Sequence, residues 1–496
     1  MSLTAHLPIS EWYTSSDDYW RLDYPPGSAY QSLLSGLIVG AVDPASVGEP
    51  LASRGVEGPW GKVGMRLSVL VADLLVYLPA CVLYWWVVCV KQGGEGTRDN
   101  ARGTEQDDDR RRHDITNENK NMGYMTLFWL LINPALVLID HGHFQYNGIS
   151  LGCTILATVC VLQATRGRNI QNIQNHEKKQ KDVSMVTPLT RSTASQPSTD
   201  RRERVTRSSV GAAFFFCMAL NHKQMTLYYA LAFFVFLLTE SLCQDTMAGR
   251  VRMLGTLGLT VLGTFALLWA PFGMVGSRHI MNRIFPVDRG LYEDYVANFW
   301  CVSSLVYKWR VKWATGVLAR LCMVATLGAC VPILVLGALG VRRRRDVFVL
   351  MLAGVSLSFY LFSFQVHEKS ILMPLVAVSM LGEERVTSRM QSVAMMTMYP
   401  LLKKDGLVVA YWAMQMLVAA VGGWDWPVHV TLALVHGVGA FVRVEGKPFL
   451  EDAVMMAAGF LYFVWVWIWL VRRLYAAVRS REGSQERRGD AKAKVA

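Results

Sequence analysis

Residues 346–370 read DVFVLMLAGVSLSFYLFSFQVHEKS, an apolar run that ends in three ionisable residues, His367, Glu368 and Lys369. The run 346–364 approaches the roughly 20 residues that a transmembrane helix needs. A second apolar run, 371–381, follows directly and confines the charged residues to a short turn. This stretch predicts two membrane-embedded helices joined at the bilayer surface by a turn that carries polar chemistry.

The same alternation of apolar blocks and short polar turns continues along the whole chain of 496 residues. Only 18% of the residues are charged and 52% are hydrophobic, whereas soluble domains are about one quarter charged. Such composition excludes a disordered chain and a disulfide scaffold. The net charge of +12 does not predict nucleic-acid binding, because the basic residues form short runs between the apolar blocks.

Thirteen candidate spans follow from the apolar blocks, and several are short enough to predict broken or re-entrant segments. Backbone groups in hydrocarbon must be bonded within their own segment, and the two-residue alternation of a β-barrel is absent. We therefore predict an all-α polytopic membrane protein. The candidate spans are 67–90, 125–140, 147–165, 210–221, 226–239, 253–271, 314–340, 346–365, 370–381, 390–400, 406–421, 427–442 and 453–471.

Basic residues predict the orientation of the spans. Alternation along the chain puts segment 166–207, the four arginines Arg342 to Arg345 and the tail 472–496 on one face, which the positive-inside rule makes cytosolic. The predicted organisation is a luminal amino-terminal segment, a membrane module with two flexible cytosolic inserts, and a basic cytosolic tail. These parts comprise residues 1–66, 67–471 (inserts 91–121 and 166–207) and 472–496.

Polar, aromatic segments all fall at the opposite, luminal ends of the spans. They are residues 11–30, 140–147, 221–225, 278–300 and 365–370. Random polar loops would occur on both sides, so a set confined to one side predicts an active site built at one membrane face.

The first of these segments interleaves aromatic rings with carboxylates. It contains Trp12, Asp23 and Tyr24 and ends in Pro25-Pro26, which fixes an extended turn. Rings can stack on pyranose faces and carboxylates can accept hydrogen bonds from sugar hydroxyls. An interfacial aromatic belt explains the same composition.

Two further segments carry His and Lys at span ends. His141 and His143 flank a glycine beside Asp140, but no third ligand is evident, so no metal cofactor is predicted and a divalent-metal requirement stays open. This segment is compatible with polar capping between two helices and also with a contact to a phosphate or a sugar hydroxyl. Lys223 has two interpretations: its side chain snorkels to the membrane surface, or its ammonium faces a phosphate.

The last two segments mix charges with aromatic residues. Residues 278–300 include Arg289, Glu293 and Asp294, which suit an oligosaccharide or pyrophosphate contact or an ordered loop with surface ion pairs. In segment 365–370, His367 or Lys369 could contact a phosphate leaving group. A short hairpin with its charges in water is the alternative.

Five motifs, in order and with matching sidedness, resemble the dolichyl-phosphate-glucose-dependent α-1,3-glucosyltransferases of the endoplasmic reticulum, polytopic enzymes of the GT-C class. The motifs are EWY…LDYPP, LIDHGHFQYN, LNHKQMTLYYA, RGLYEDYVANFW and FLFSFQVHEKSIL. The similarity runs from about Leu7 to the last span and leaves out both inserts. The third and fourth motifs, LNHKQMTLYYA and RGLYEDYVANFW, are more similar to the enzymes that add the first glucose than to those that add the second.

This resemblance implies a GT-C type helical bundle with luminal loops in the endoplasmic-reticulum membrane. The implied donor is dolichyl-phosphate-glucose, and the implied acceptor is Man9GlcNAc2-pyrophosphate-dolichol, with an α-1,3 product formed by inversion. A single inverting displacement needs a base on the acceptor hydroxyl, and the departing lipid phosphate needs cationic or hydrogen-bonding neighbours.

The resemblance also implies roles for individual residues. Asp23 and His367 are the expected catalytic residues, with His367 on the donor phosphate. The family carries its expected base on an Asp that precedes the EWY stretch, so we expect an incomplete amino terminus, with Asp23 as base otherwise. Expected phosphate or sugar contacts are Lys369, Lys223, His141, His143, Arg289, Glu293, Asp294, Trp12 and Tyr24.

Other functions remain compatible with a polytopic chain. A transporter predicts inverted halves and charges near mid-membrane; a catalytically impaired membrane scaffold predicts no base; and the sister enzyme would add the second glucose. Near the carboxyl end, Lys492 and Lys494 resemble a cytosolic di-lysine retrieval signal, or belong to a merely basic tail.

Overall fold

The structure is a computed structural model that describes residues 1–14, 22–49, 58–90, 123–184, 197–273, 277–285, 290–293, 295–341, 344–441 and 449–479. The insert 91–121, Arg289, Asp294 and the tail beyond 479 lie outside the described residues.

Helices make up the fold, and the described residues contain no strand, which confirms the all-α prediction. The α-helices are residues 123–131 and Ser2–His6, Pro26–Val42, Pro59–Ala72, Leu78–Trp85, Pro134–Val137, Asn147–Ser184, Pro197–His222, Ala230–Leu242, Met247–Trp269, Ser277–Ile284, Phe299–Ser303, Trp309–Lys312, Thr315–Gly340, Arg345–Phe362, Leu372–Ser379, Glu384–Thr397, Tyr399–Lys404, Val408–Gly422, Trp426–Phe441 and Leu450–Arg479. Short 3₁₀ turns are Ile9–Glu11, Pro44–Val47, Gln224–Tyr229, Ala270–Phe272 and Glu368–Ile371, and π-turns are Asp73–Tyr77, Trp86–Val90 and Leu138–Phe144.

Seven helices in the described ranges are long and apolar enough to cross a membrane, which confirms the prediction of a multi-pass membrane protein. They are Pro59–Val88, Gly123–Phe144, Asn147–Thr165, Gln224–Leu242, Met247–Phe272, Thr315–Gly340 and Leu450–Arg479. Several of the thirteen predicted spans are shorter helices. Leu372–Ser379, for example, has every residue buried in protein, so it need not be long enough to face lipid across the bilayer.

Helices extend into two of the predicted segments. The described residues of the predicted insert 166–207 are helical, because Asn147–Ser184 and Pro197–His222 continue beyond their apolar parts. Gln, Lys, Glu and Arg are good helix formers and sustain this continuation. The amino-terminal segment 1–66 contains the helix Pro26–Val42 and the start of the first span at Pro59, both with Pro at the first helical turn, where its fixed φ fits.

Arg345–Phe362 is the central helix of the bundle. It packs against Thr315–Gly340, Leu372–Ser379 and Leu450–Arg479. Phe348 makes edge contacts with Phe233 and Phe236, with ring centroids 5.2 and 5.5 Å apart. Helix packing without a hydrophobic driving force relies on this kind of close van der Waals contact.

The central helix also separates two chemically different ends of the bundle. Its 18 residues rise about 27 Å, close to the hydrocarbon thickness. At its amino end, Arg344 pairs with Asp346, and nearby helix ends carry the pairs Arg473–Glu383 and Arg389–Asp425. At its carboxyl end the chain enters the turn with His367 and Lys369, so these residues lie at the end opposite Arg344.

The helix Pro26–Val42 packs directly on the Asn221–Lys223 turn. Ser28 Oγ donates a hydrogen bond to the His222 carbonyl at 2.5 Å. Gly27 lies so close that a Cβ there would be 2.7 Å from the Asn221 carbonyl oxygen. The absence of a side chain at Gly27 therefore sets the position of this helix beside Lys223.

Gly27→Ala should lower the melting temperature of the detergent-solubilised protein, because the added methyl overlaps backbone that cannot move away. Overpacking of this kind typically costs about 1–3 kcal/mol. Gly40→Ala on the same helix is the matched control, since nothing lies within 4 Å of its added Cβ. It should leave the melting temperature unchanged or raise it, because Ala is the better helix former. Equal melting temperatures for the two variants would contradict this packing.

Candidate active site

Lys223 is the centre of a buried polar network. Its side chain is 4% exposed, and Nζ donates to Asn147 Oδ1 at 2.5 Å and to Gln145 Oε1 at 3.0 Å. Asn147 Nδ2 in turn donates to Asp140 Oδ1 at 2.6 Å. One amide thus links an ammonium to a buried carboxylate, which satisfies charges that would otherwise be costly to bury.

Asp140 also caps the helix that begins at Asn147. Its second oxygen, Oδ2, accepts the Gly148 backbone N–H at 2.8 Å. An acidic group at a helix amino terminus satisfies an orphan donor and interacts favourably with the helix dipole. The motif LIDHGHFQYN is therefore a π-turn followed by a capped helix, with its polar side chains aimed at the end of the bundle.

His141 pairs with a carboxylate from the first span. Its Nε2 lies 2.8 Å from Asp73 Oδ2, and both side chains are less than one third exposed. Gly148 makes room for this carboxylate, since a Cβ at Gly148 would overlap Asp73. Asp73, which is 68 positions from His141 in the sequence, thereby brings the first span into the site.

His143 bridges two other segments. Its Nδ1 lies 2.6 Å from Asp405 Oδ2, and its Nε2 lies 3.2 Å from Lys369 Nζ. Asp405 lies in the turn after Tyr399–Lys404, a segment that contains none of the motifs. The result is a chain of three polar side chains from three separate loops.

His367 pairs with Glu293 across the site, with Nε2 and Oε2 2.6 Å apart. Backbone contacts hold the two loops together: Gln365 N–H donates to the Leu291 carbonyl at 2.9 Å, and Tyr292 and Val366 form an isolated parallel bridge. The fourth and fifth motifs are therefore one structural unit.

Two bulky residues of the site have positive φ. Phe144, at the end of its π-turn, has φ +73°, and Gln365 has φ +57°. Such backbone costs about 1–3 kcal/mol per residue and occurs mainly where surrounding structure imposes it, often at functional sites. Phe144 directly follows His143, and Gln365 lies two residues before His367, so both constrained backbone positions adjoin predicted site residues.

The amino-terminal aromatic segment divides into a packed part and a site-facing part. Trp12 is 1% exposed, and its ring contacts Tyr30 and Phe272 with centroids 6.1 and 6.0 Å away. These packing contacts occupy the ring that we expected to stack on a sugar. Tyr24 is partly exposed, and Lys223 Nζ lies 5.7 Å from its ring centroid.

Electrostatic interactions place Lys223 in one neighbourhood with other predicted site residues. The pKa of Lys223 is lowered to about 8: burial is the main cause, Asp140 and Asp23 oppose the shift, and the positive charge of Lys369 adds to it. Asp23 also lies beside the Lys223 turn, because Gln224 Nε2 donates to its backbone carbonyl at 3.4 Å. Asp23, Lys223 and Lys369 therefore act on the same volume.

Each imidazole of the site pairs with one carboxylate. Within the described ranges, no group of three or more His, Cys, Asp or Glu side chains is placed to hold a metal ion. The arrangement instead presents ammonium and imidazole groups beside carboxylates. Cations suit a phosphate, and carboxylates suit sugar hydroxyls or a hydroxyl proton.

The sequence did not identify five members of the site: Asp73, Asp140, Gln145, Asn147 and Asp405. Asp73 had a usable signal, since an acid inside an apolar run marks a functional candidate. Asp140, Gln145 and Asn147 belong to the motif LIDHGHFQYN, in which the two histidines are the stronger signal for a site. Asp405 follows two lysines in an ordinary turn, and nothing local distinguishes it.

Comparison with known proteins gives a consistent assignment. The chain matches the description "ALG6, ALG8 glycosyltransferase family" over residues 1–170 and 202–479. It is 33% identical to a Dictyostelium discoideum protein, covering 85% of this chain and 70% of that one. A Drosophila melanogaster protein is 36% identical, with coverages of 82% and 72%. A Gallus gallus protein is 33% identical, with coverages of 82% and 68%.

All three relatives are named dolichyl pyrophosphate Man9GlcNAc2 alpha-1,3-glucosyltransferase, with the qualifier "Probable" for the first two. The family match includes every described site segment and excludes residues 171–201, most of the predicted second insert. The chain belongs to the ALG6, ALG8 glycosyltransferase family.

Proposed function

We propose that this chain transfers glucose from dolichyl-phosphate-glucose to Man9GlcNAc2-pyrophosphate-dolichol in the endoplasmic-reticulum membrane, forming an α-1,3 linkage with inversion. The observation that carries this proposal is the cluster of Lys223, Lys369 and three carboxylate-paired histidines at one end of an apolar helical bundle. Lipid tails can remain beside the helices while the phosphate and the sugars meet at that end.

The reaction is a single displacement at the anomeric carbon of glucose. The acceptor hydroxyl oxygen forms the new bond to that carbon as the bond to the phosphate oxygen breaks, and the hydroxyl proton passes to a carboxylate base. Negative charge grows on the departing lipid phosphate, where Lys223, Lys369 and His367 stabilise it. We place Asp23 on the acceptor side, where its carboxylate accepts hydrogen bonds from sugar hydroxyls.

His367→Ala should lower kcat/KM for dolichyl-phosphate-glucose by about 100-fold, because it removes a hydrogen-bond donor from the developing phosphate charge. The assay uses full-length protein in nanodiscs and detects a lipid-linked oligosaccharide one hexose heavier. His429→Ala is the control, since His429 stacks on Trp424 at the opposite end of the bundle and should retain activity.

The same assay decides between related functions. Transfer to Man9GlcNAc2-pyrophosphate-dolichol supports the proposal, whereas transfer only to the acceptor that already carries one glucose would identify the sister activity. Undiminished transfer by His367→Ala would remove that residue from the site.

The KM for dolichyl-phosphate-glucose should rise as pH increases from 7 to 9. The lowered pKa of Lys223, about 8, means that its ammonium loses its proton in this interval and no longer attracts phosphate. Lys223→Met should have a higher KM than wild type at pH 7, and its KM should not rise further between pH 7 and 9. A wild-type KM that stays constant across this pH range would contradict the role of Lys223.

We further propose that the site faces the lumen. Arg344→Cys and Lys404→Cys place single labels at the two ends of the bundle, in a Cys243→Ser background because Cys243 is partly exposed. In sealed microsomes an impermeant maleimide should label Arg344→Cys directly and Lys404→Cys only after permeabilisation. Labelling of both before permeabilisation would contradict the predicted topology.

A further inference from the structure

Asp405 is held by a Schellman turn that ends the helix Tyr399–Lys404. Leu407 N–H donates to the Leu402 carbonyl at 2.8 Å, and Gly406 N–H donates to the Lys403 carbonyl at 3.2 Å. Gly406 has φ +73°, the left-handed conformation that this motif requires. The turn fixes the backbone of Asp405 and leaves its side chain free to project from the helix end.

The turn docks on the glycine between the two histidines. A Cβ at Gly142 would lie only 2.8 Å from Leu407 Cδ1, so the missing side chain of Gly142 accommodates Leu407. This contact brings Asp405 to His143, although the two residues are 262 positions apart. The His-Gly-His spacing thus has a packing reason that is separate from any metal.

The hydrogen-bond partners define the tautomer of His143. A lysine ammonium has donors only, so Lys369 Nζ must donate to Nε2 of the imidazole at 3.2 Å. The imidazole proton is then on Nδ1 and is donated to Asp405 Oδ2 at 2.6 Å. An ionised carboxylate that accepts from one nitrogen makes the other nitrogen a better acceptor.

Lys369 has a reason to need this support. It lies near Lys223, so two positively charged side chains act on the same volume and each needs partners that hold its position. The carboxylate of Asp405 lies two hydrogen bonds from the Lys369 ammonium. The imidazole of His143 stands between the two groups, so Asp405 holds the ring and the ring holds the ammonium. We propose that Asp405 is a positioning residue that fixes the tautomer of His143 and thereby aims the Lys369 ammonium at the donor phosphate, an inference that rests on the proposed function.

Asp405→Ala should lower kcat/KM for dolichyl-phosphate-glucose by about tenfold, the usual effect of losing a hydrogen bond to a charged group. Asp405→Asn should rescue part of this loss, because its amide oxygen can still accept the Nδ1 proton. Asp425→Asn is the matched control: it weakens the half-buried Arg389–Asp425 ion pair at the other end of the bundle and should not change the kinetics. Equal losses for Asp405→Ala and Asp425→Asn would overturn the proposal.

A double-mutant cycle separates positioning from general stability. In a Lys369→Met background the ammonium is gone, so adding Asp405→Ala should produce almost no further loss of kcat/KM. Independent structural damage would instead multiply the two losses, and that result would also overturn the proposal.

Nitrogen-15 NMR of histidine-labelled protein in nanodiscs gives a readout that does not require glucose transfer. The His143 signal, identified by its absence in His143→Gln, should have the Nδ1-protonated pattern in wild type and should change in Asp405→Ala. A wild-type protein that shows this pattern but transfers no glucose would contradict the proposed function alone. An unchanged pattern in Asp405→Ala would contradict the role of Asp405 alone.

Discussion

A buried ammonium is the constraint on which the site depends. Lys223 lies at the junction of two apolar helices with 4% of its surface exposed. An unsatisfied cation in such surroundings is expensive, on the order of 3 kcal/mol even on insertion scales. Asn147 and Gln145 satisfy it, and Asp140 balances its charge through Asn147. The helix that begins at Asn147, the Asn221–Lys223 turn and the helix at Gly27 must therefore keep one relative position.

Three histidine–carboxylate pairs extend this constraint across the end of the bundle. Asp73, Glu293 and Asp405 come from three distant parts of the chain, and each contacts a different imidazole. Pairing fixes which ring nitrogen bears the proton and holds the ring in place. The candidate site is consequently preorganised, which is the condition under which electrostatic stabilisation of developing charge is most effective.

The sequence predicted the membrane class and the segments of the site because both depend on local composition. Apolar blocks predict helices directly, and the polar turns at residues 367–369 and 140–143 stand out between them. The partners could not be predicted in the same way. The pairing of His143 with Asp405 depends on how a helix-ending turn packs on Gly142, a contact with no periodicity that a sequence could display. For Trp12 the local composition was misleading. The aromatic, acidic segment around it suits sugar stacking, but in the fold its ring packs against Tyr30 and Phe272.

The two strained turns explain why these motifs are compact. Phe144, directly after His143, and Gln365, two residues before His367, both have positive φ where the chain turns. A relaxed turn would need a glycine or additional residues, and either change would loosen His143 or His367. The long buried helices supply the packing that sustains this strain, while the turns supply the geometry of the site. A division of this kind suits an enzyme whose substrates are lipids, since the bundle that stabilises the turns also presents an apolar surface to the lipid tails.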